Sequence, residues 1–577
     1  RLSRQSWTLG GKTYTEAYSY DDATDGSMTS FRTTAEQTLH FTYDALRRLQ
    51  KTAVTDGSGT LFTVARSYYT TGGKATTRTE YFNYRMPNGS LIAGDRYVYD
   101  ALGNITELRE AEPASGSSAR RTKVRYTYDE QNQLRTETRY TYSSNTDTTG
   151  TSVTYTYNYD TAGNLQSVQK NGATVQTYTY GDSQWRDLLT KVGGTTISYD
   201  ASGNPKNWYN GTTYTGLTWK NGRQLAQITT GGRTSAYRYD ADGIRTYKKV
   251  GSVAHEYRTL NGKVVYEKIG SGSTAKIMIF SYDAQGRPFA VKYSTNNGGS
   301  YITYFYALNQ QGDVVKIFRS LPSRDSNGNL IGLTEAVYAI YTYDAWGNVL
   351  SQSGSMASTN PLRYRGYYHD SETGFYYLQS RYYDPAMHRF INADSYASTG
   401  QGFIGTNMFA YCHNSPVAFY DTEGNMATEA TIAATNWWNP IGWIAGGILV
   451  VEVVVAAVVI SEEIDSESAI KSHEISEKQA NGEPTPTVSS SKKEKEKPKT
   501  PDVTYPGDDP SQAPDGYEWR GKDEPGGKRG GYANKNGTDS WHPDLDHPDG
   551  VEAHWDYNNG HGNKWRVYPD GRIDLVK

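Results

Sequence analysis

Polar and apolar positions alternate with a period of two in short runs along the first 400 residues. The apolar member is usually tyrosine rather than leucine, isoleucine or valine. Such alternation places every second side chain on one face of a strand. A unit Tyr-x-Tyr-Asp-x-x-Gly recurs at Tyr97–Asn104 (YVYDALGN), Tyr157–Asn164 (YNYDTAGN), Tyr237–Gly243 (YRYDADG) and Tyr341–Asn348 (YTYDAWGN), with weaker copies at Asp21, Asp44, Asp129, Asp200 and Asp283. The two tyrosines share a strand face and can stack on neighbouring strands. The aspartate starts a turn by accepting backbone N–H groups, the glycine supplies a positive φ, and the asparagine tolerates similar geometry. Ile105, Leu165 or Val349 then opens the return strand. Each unit predicts a β-hairpin that cannot bury its own face, so hairpins must pack side by side into a long curved sheet. The aspartates are spaced from 23 residues (21 to 44) to 61 (283 to 344), too irregularly for a strict solenoid.

This pattern resembles the YD repeats of Rhs and teneurin-type proteins over about residues 10–425. The resemblance implies a mainly β fold whose hairpins spiral into a hollow shell, expected here over 1–360. A structural role is the first reading of the Tyr, Asp and Asn residues, with binding of cell-wall glycans by the tyrosines as the second. The stretches PLRYRGYYHDSETGFYYLQSRYYDPAMHRFINAD (361–394) and NMFAYCHNSPVAFYDTEGN (407–425) resemble the C-terminal signature of the Rhs core. In that family this region plugs the shell and cuts the chain just after it, with two aspartates as an intramolecular aspartyl protease. The matching positions are Asp394 and Asp421. Two adjacent carboxylates cannot both ionise cheaply, so one keeps a proton and the pair can activate water or a peptide carbonyl. The family motif Asp-Pro-x-Gly is broken, because Ser-Tyr-Ala follows Asp394 and Thr-Glu-Gly follows Asp421. Cleavage near Asn425 and a turn-forming role for both aspartates therefore stand side by side. His388 and His413 are read as packed residues rather than catalysts.

Composition changes the picture only modestly. The 577 residues include 50 Tyr and 58 Gly and carry a formal charge of −3, so nothing global argues for nucleic acid or a membrane surface. The single cysteine, Cys412, cannot form an intrachain disulfide. Repeat-like sequence begins at Arg1, without an initiator methionine, and an N-terminal part is expected to be missing.

The pattern breaks at 426. Residues 441–460 (IGWIAGGILVVEVVVAAVVI) are apolar except for Glu452, and Trp437, Trp438 and Trp443 lie at one end. A helix of that length spans roughly 30 Å, the thickness of a bilayer core. Segment 426–460 is therefore a candidate anchor, a segment inserting into a target-cell membrane, or a run packed inside the shell. Residues 461–515 are rich in Ser, Glu, Lys and Pro and are expected to be a disordered linker.

The last stretch, 516–577, is expected to be a small β-rich or α+β domain. His542, His547, His554 and His561 fall within it, among four tryptophans. Two histidines suit phosphodiester cleavage as general base and general acid, and Lys564 and Arg566 can stabilise a pentavalent phosphate. The runs His-Pro-Asp-Leu-x-His-Pro and Ala-His-Trp-Asp-Tyr resemble C-terminal effector modules of polymorphic toxins, of the type called thirty-seven. The resemblance implies a nuclease, with His554, His547 and His542 as the catalytic candidates and no cofactor. The mixture His542, Asp544, Asp546, His547, His554 and Asp556 also suits a divalent metal ion, which makes a metal-dependent DNase the alternative, with His542, Asp546, His547 and His554 as ligands. The stretch is not basic: nine Lys and Arg stand against eleven Asp and Glu.

The function expected is thus a secreted or cell-surface polymorphic toxin of interbacterial competition, whose effector is delivered to the target-cell cytoplasm. It implies a nucleic-acid substrate and a cognate immunity protein. A wall or adhesion protein binding glycans is the reading from a different class.

Overall fold

The computed structural model describes residues 3–394 apart from a few turn positions, residues 407–421 with 424 and 427–429, and strands and adjoining turns between 506 and 575. The chain divides into two compact units, residues 1–456 and 457–577. The apolar run 441–460 and most of the linker lie outside the described residues. Among the described residues no helix is long and apolar enough to cross a membrane.

The first unit is built from two antiparallel meanders, in which every strand pairs with its neighbours in sequence. One has sixteen strands, from Arg4–Leu9 to Thr195–Thr196, and the other thirteen, from Trp208–Tyr209 to Val349–Ser353. Their turns show why the repeat takes its form. At Asp160, Oδ1 accepts the backbone N–H groups of Ala162 (2.9 Å) and Asn164 (2.9 Å), and the Asn164 amide returns a bond to Oδ2 (3.0 Å). Asp344 makes the same contacts with Trp346 and Asn348, and Asp283 with Gln285 and Arg287. The residue at the asparagine position is thus a side-chain donor to the aspartate, and Gln133 and Arg287 serve as well. The position before it carries the positive φ: Gly163 has φ 75° and Gly347 94°.

The second tyrosine of each unit also does more than stack. In several units its hydroxyl donates to the carbonyl just past the preceding turn: Tyr128 to Ile105 (2.7 Å), Tyr159 to Leu134 (3.0 Å) and Tyr343 to Val314 (2.8 Å), as does Tyr180, which precedes Gly181, to Leu165 (2.9 Å). Tyr99 instead donates to Thr79 O (2.8 Å) within a strand. Consecutive turns are therefore stapled together, each bond stabilising by about 1 kcal/mol. The first tyrosine is the buried anchor; Tyr97, Tyr157 and Tyr341 are all but inaccessible. The two meanders share one core, where Phe62 packs on Phe289, Phe305 and Phe318, and the Tyr97 hydroxyl accepts the Gln310 N–H at 2.9 Å.

Residues 368–390 form a small four-stranded sheet, from Tyr368–Asp370 to Arg389–Phe390, fastened to both meanders. Arg389 donates to Asp187 O (2.7 Å) on the first. On the second, Trp208 Nε1 and Asn210 Nδ2 each donate to Asp384 Oδ2 at 2.8 Å. Arg245 makes a two-pronged bond to Asp370 (2.6 and 2.9 Å), Lys248 joins it at 2.9 Å, and the guanidinium lies among the rings of Tyr237, Tyr257, Tyr368, Tyr377 and Tyr382. His388 is buried, 3.2 Å from the Tyr178 hydroxyl, and burial pulls it down to about 3, so it stays neutral. His413 is pulled down to about 4 by the same cause.

The second unit contains a six-stranded antiparallel meander: Tyr517–Gly521, Gly530–Asn534, Ser540–Asp544, His554–Asn558, Lys564–Val567 and Ile573–Leu575. Tyr532, Trp541, Trp555, Tyr557, Trp565 and Val567 pack into its core.

Candidate functional site

The alternation that buries the tryptophans of the second unit fixes the opposite face. Trp541 pairs with Tyr557, and Tyr557 with Trp565, so these rings share one side. One residue along, His542 pairs with Asp556 and Asp556 with Arg566; Lys564, two residues before Arg566, and His554, two before Asp556, fall on the same side. The face away from the aromatic core therefore gathers His542, His554, Lys564 and Arg566, the candidates read from the sequence. His547, Asp546 and His561 lie outside the described residues. Among the described residues no group of three His, Cys, Asp or Glu side chains could hold a metal ion.

The centre of this face is Asp556, read from the sequence only as one member of the His/Asp mixture that suits a metal ion, although period two puts it beside His554. Its side chain is 8 % exposed. Oδ2 lies 2.8 Å from Lys564 Nζ, and Oδ1 lies 3.8 Å from His554 Nε2 and 3.9 Å from Arg566 Nε. The His554 ring is fully buried, 5.5 Å from that of Tyr568. The Lys564 and Arg566 side chains are half-exposed above the carboxylate. Imidazole, carboxylate and two cations within ion-pair range can move a proton and hold an anion.

In the first unit, Asp394 and Asp421 are brought together through a residue that carried no signal in the sequence. Arg381 Nη2 lies 2.8 Å from Asp394 Oδ2 and 3.7 Å from Asp421 Oδ2, and all three side chains are buried. Arg381 also donates from Nη1 to Met408 O (3.0 Å) and from Nε to Gly424 O, while Asp421 Oδ1 accepts the Gly424 N–H (2.7 Å). Arg381 thus contacts both carboxylates, a cation that a bare aspartate pair does not include. Burial pulls Arg381 down and the two aspartates push it back up. Asn425, next to the expected cut, lies outside the described residues.

Meanders of Tyr-Asp hairpins with a small terminal sheet fastened across them define the YD-repeat, Rhs-like architecture of polymorphic-toxin proteins. Residues 88–417 match the family model described as Teneurin YD-shell, and the chain belongs to that family. Among curated proteins it is similar to the tRNA3(Ser)-specific nuclease WapA of Bacillus spizizenii, at 33% identity over 245 residues, which is 41% of this chain and 9% of that protein. It is also similar to double-stranded DNA deaminase toxin A of Burkholderia cenocepacia, at 38% identity over 85 residues, 14% of this chain and 6% of that one. The chain thus spans under a tenth of the length of either relative. Among solved structures, the Tc holotoxin pore of Photorhabdus luminescens superposes with a TM-score of 0.51 at 19% identity, covering 72% of this chain and 21% of that one, a likeness of fold alone.

Proposed function

We propose that this chain is the carrier and effector portion of a secreted or cell-surface polymorphic toxin, with residues 516–577 as a nuclease delivered to the cytoplasm of a competing bacterium. The observation that carries this reading is the sorting of the C-terminal sheet into an aromatic face and a face bearing His542, His554, Asp556, Lys564 and Arg566. A sheet needing only to fold would gain nothing by clustering ionisable groups there, with His554 and Asp556 buried among them. The likeness to a named tRNA nuclease supports nucleic acid as the substrate, but that match is longer than the whole second unit and so reaches into the first. A relative named as a DNA deaminase toxin matches 85 residues of this chain, so the chemistry must be argued from this chain's own residues.

In this reading the effector is an RNase of type thirty-seven. His554 acts as one proton-transfer group, His542 or His547 as the other, and Lys564 and Arg566 neutralise the phosphate. A cognate immunity protein protects the producer. The YD hairpins close into a hollow shell over 1–360, plugged by 361–425. Asp394 and Asp421 release the effector by autoproteolysis, and 426–460 inserts into the target membrane ahead of the linker 461–515. The tyrosines turn their rings into the core and commit their hydroxyls to backbone carbonyls, which leaves little of them for glycans.

The test is degradation of total RNA and plasmid DNA by the full chain, with and without EDTA, beside His554→Ala. EDTA-resistant loss of RNA that vanishes in the variant supports the reading. EDTA-sensitive loss of DNA makes the histidines metal ligands. Neither polymer touched by a chain that still kills cells removes the nuclease assignment.

A further inference from the structure

Resting on that nuclease reading, we infer that Asp556 is the positioning residue of the effector face: its buried carboxylate anchors Lys564 and Arg566 so that both cations face one phosphate of a nucleic-acid strand. The geometry has three parts. Asp556 lies on the central strand His554–Asn558, and Lys564 and Arg566 are two residues apart on the adjoining strand Lys564–Val567, so the carboxylate faces Arg566 in its own row and Lys564 in the next row on the same face. Burial is graded. The carboxylate is 8 % exposed, whereas the side chains of Lys564 and Arg566 are 45 % and 40 % exposed, so the anchor is inside and both cationic side chains reach the surface. Finally, the contacts are uneven. Lys564 makes a 2.8 Å ion pair, while Arg566 Nε stands 3.9 Å from the carboxylate and makes no hydrogen bond among the described residues. The Nη groups of its guanidinium can serve phosphate oxygens.

Long flexible cations lose about 2 kcal/mol of rotamer freedom when fixed, and a buried carboxylate beneath them meets that cost before substrate arrives. Asp556 acts through Lys564 and Arg566 and takes no part in proton transfer. In sequence the stretch is formally acidic, with nine Lys and Arg against eleven Asp and Glu. Local placement of two cations, rather than net charge, is then what selects a polyanion.

The sign of one measurement separates positioning from bulk electrostatics. The full chain carrying His554→Asn, to prevent turnover, is titrated with a short fluorescein-labelled oligoribonucleotide, with and without Asp556→Asn. Removing a negative charge near a bound polyanion tightens binding if only the field matters. Positioning requires the opposite, a roughly tenfold weaker complex, about 1.4 kcal/mol. Asp556→Glu should recover most of it, and Lys564→Ala should add little on top of Asp556→Asn. In the active chain, Asp556→Asn should raise KM far more than it lowers kcat. Binding unchanged or tighter in Asp556→Asn overturns the inference while leaving the nuclease reading intact. A chain with native Asp556 that neither binds nor cuts RNA overturns both. If Asp556→Asn fails to fold, judged by tryptophan fluorescence, Lys564→Ala and Arg566→Ala decide: each must weaken binding, and indifference to both overturns it.

Discussion

The aspartates of the YD turns and Asp556 of the C-terminal sheet are buried or half-buried carboxylates on β structure, and they are used in opposite ways. Asp160 has its acceptors filled from within its own turn, by two backbone N–H groups and the Asn164 amide at 2.9–3.0 Å. Asp556 is held from other residues at ion-pair range, with only Lys564 close, and its Oδ1 makes no hydrogen bond among the described residues. A carboxylate satisfied locally costs little to bury and changes little on contact with a ligand. One that holds half-exposed cations leaves those cations open to an anionic substrate. The contrast teaches that the repeat aspartates, however numerous, are scaffold, and that a single under-coordinated acid is the better marker of chemistry.

The sharpest way to break that contrast is to delete a deep pairing in each unit. Arg245 and Lys248 are 2–3 % exposed and share Asp370. Asp370→Ala leaves buried Arg245 without its carboxylate and Lys248 with Glu372 alone (3.1 Å), and should cost about 3–5 kcal/mol. Asp556→Ala strips partners that already reach water and should cost under about 1 kcal/mol. Urea unfolding midpoints followed by tryptophan fluorescence compare the two, and equal losses would show that both aspartates are merely structural.

A second test uses pH. Glu137 is wholly buried on the strand Leu134–Thr141 and accepts the Ala345 N–H at 3.1 Å from the last YD turn. Burial first, then the Asp344 charge, push its carboxyl up to about 8. The folded chain therefore holds a proton that the unfolded chain has released above the ordinary value of 4.5. Stability from this group is intact below about pH 4.5 and drains away as pH rises towards 8, by up to about 1.4 kcal/mol per pH unit. Glu137→Gln keeps the acceptor and should flatten that slope, as read from urea midpoints at pH 5 to 8. An unchanged slope assigns the dependence to other groups.

What could be read beforehand divides along the same line. The hairpins were legible because a turn is written in a few adjacent residues, and the Tyr-x-Tyr face follows from period two. The asparagine was misjudged as a conformational convenience, since its bond to Asp Oδ2 needs coordinates to be seen. The turn at 309–313 escaped because its polarity is exchanged: Asn309 accepts the Asp313 N–H through Oδ1 and donates its amide to the Asp313 carboxylate. It lies inside the 61-residue gap that made the array look irregular. His542, His554, Lys564 and Arg566 were named from side-chain chemistry, and only strand register puts them on one face. Arg381 was illegible, because nothing local ties it to Asp394 and Asp421.

Two smaller effects sharpen the picture of the turns. Tyr128→Phe removes one hydroxyl-to-carbonyl staple and leaves the ring, so it should cost about 1 kcal/mol. A loss near zero would mean that the rings alone hold successive hairpins in register. The other concerns Arg47, which occupies the left-handed position of the Asp44 turn at φ 62°, where Gly163 and Gly347 stand in their own turns. That conformation costs an L-residue roughly 1–2 kcal/mol, while a glycine there loses about 0.5–1 kcal/mol more backbone entropy on folding. The difference favours glycine, so Arg47→Gly should stabilise the first unit by about 0.5–1 kcal/mol, visible as a higher urea midpoint. The Asp44 contacts to Leu46 and Arg48 do not pass through the Arg47 side chain, so the turn itself should persist. Destabilisation instead would show that the Arg47 side chain gives the fold more than its backbone strain takes away, and that this turn departs from the local self-sufficiency of the others.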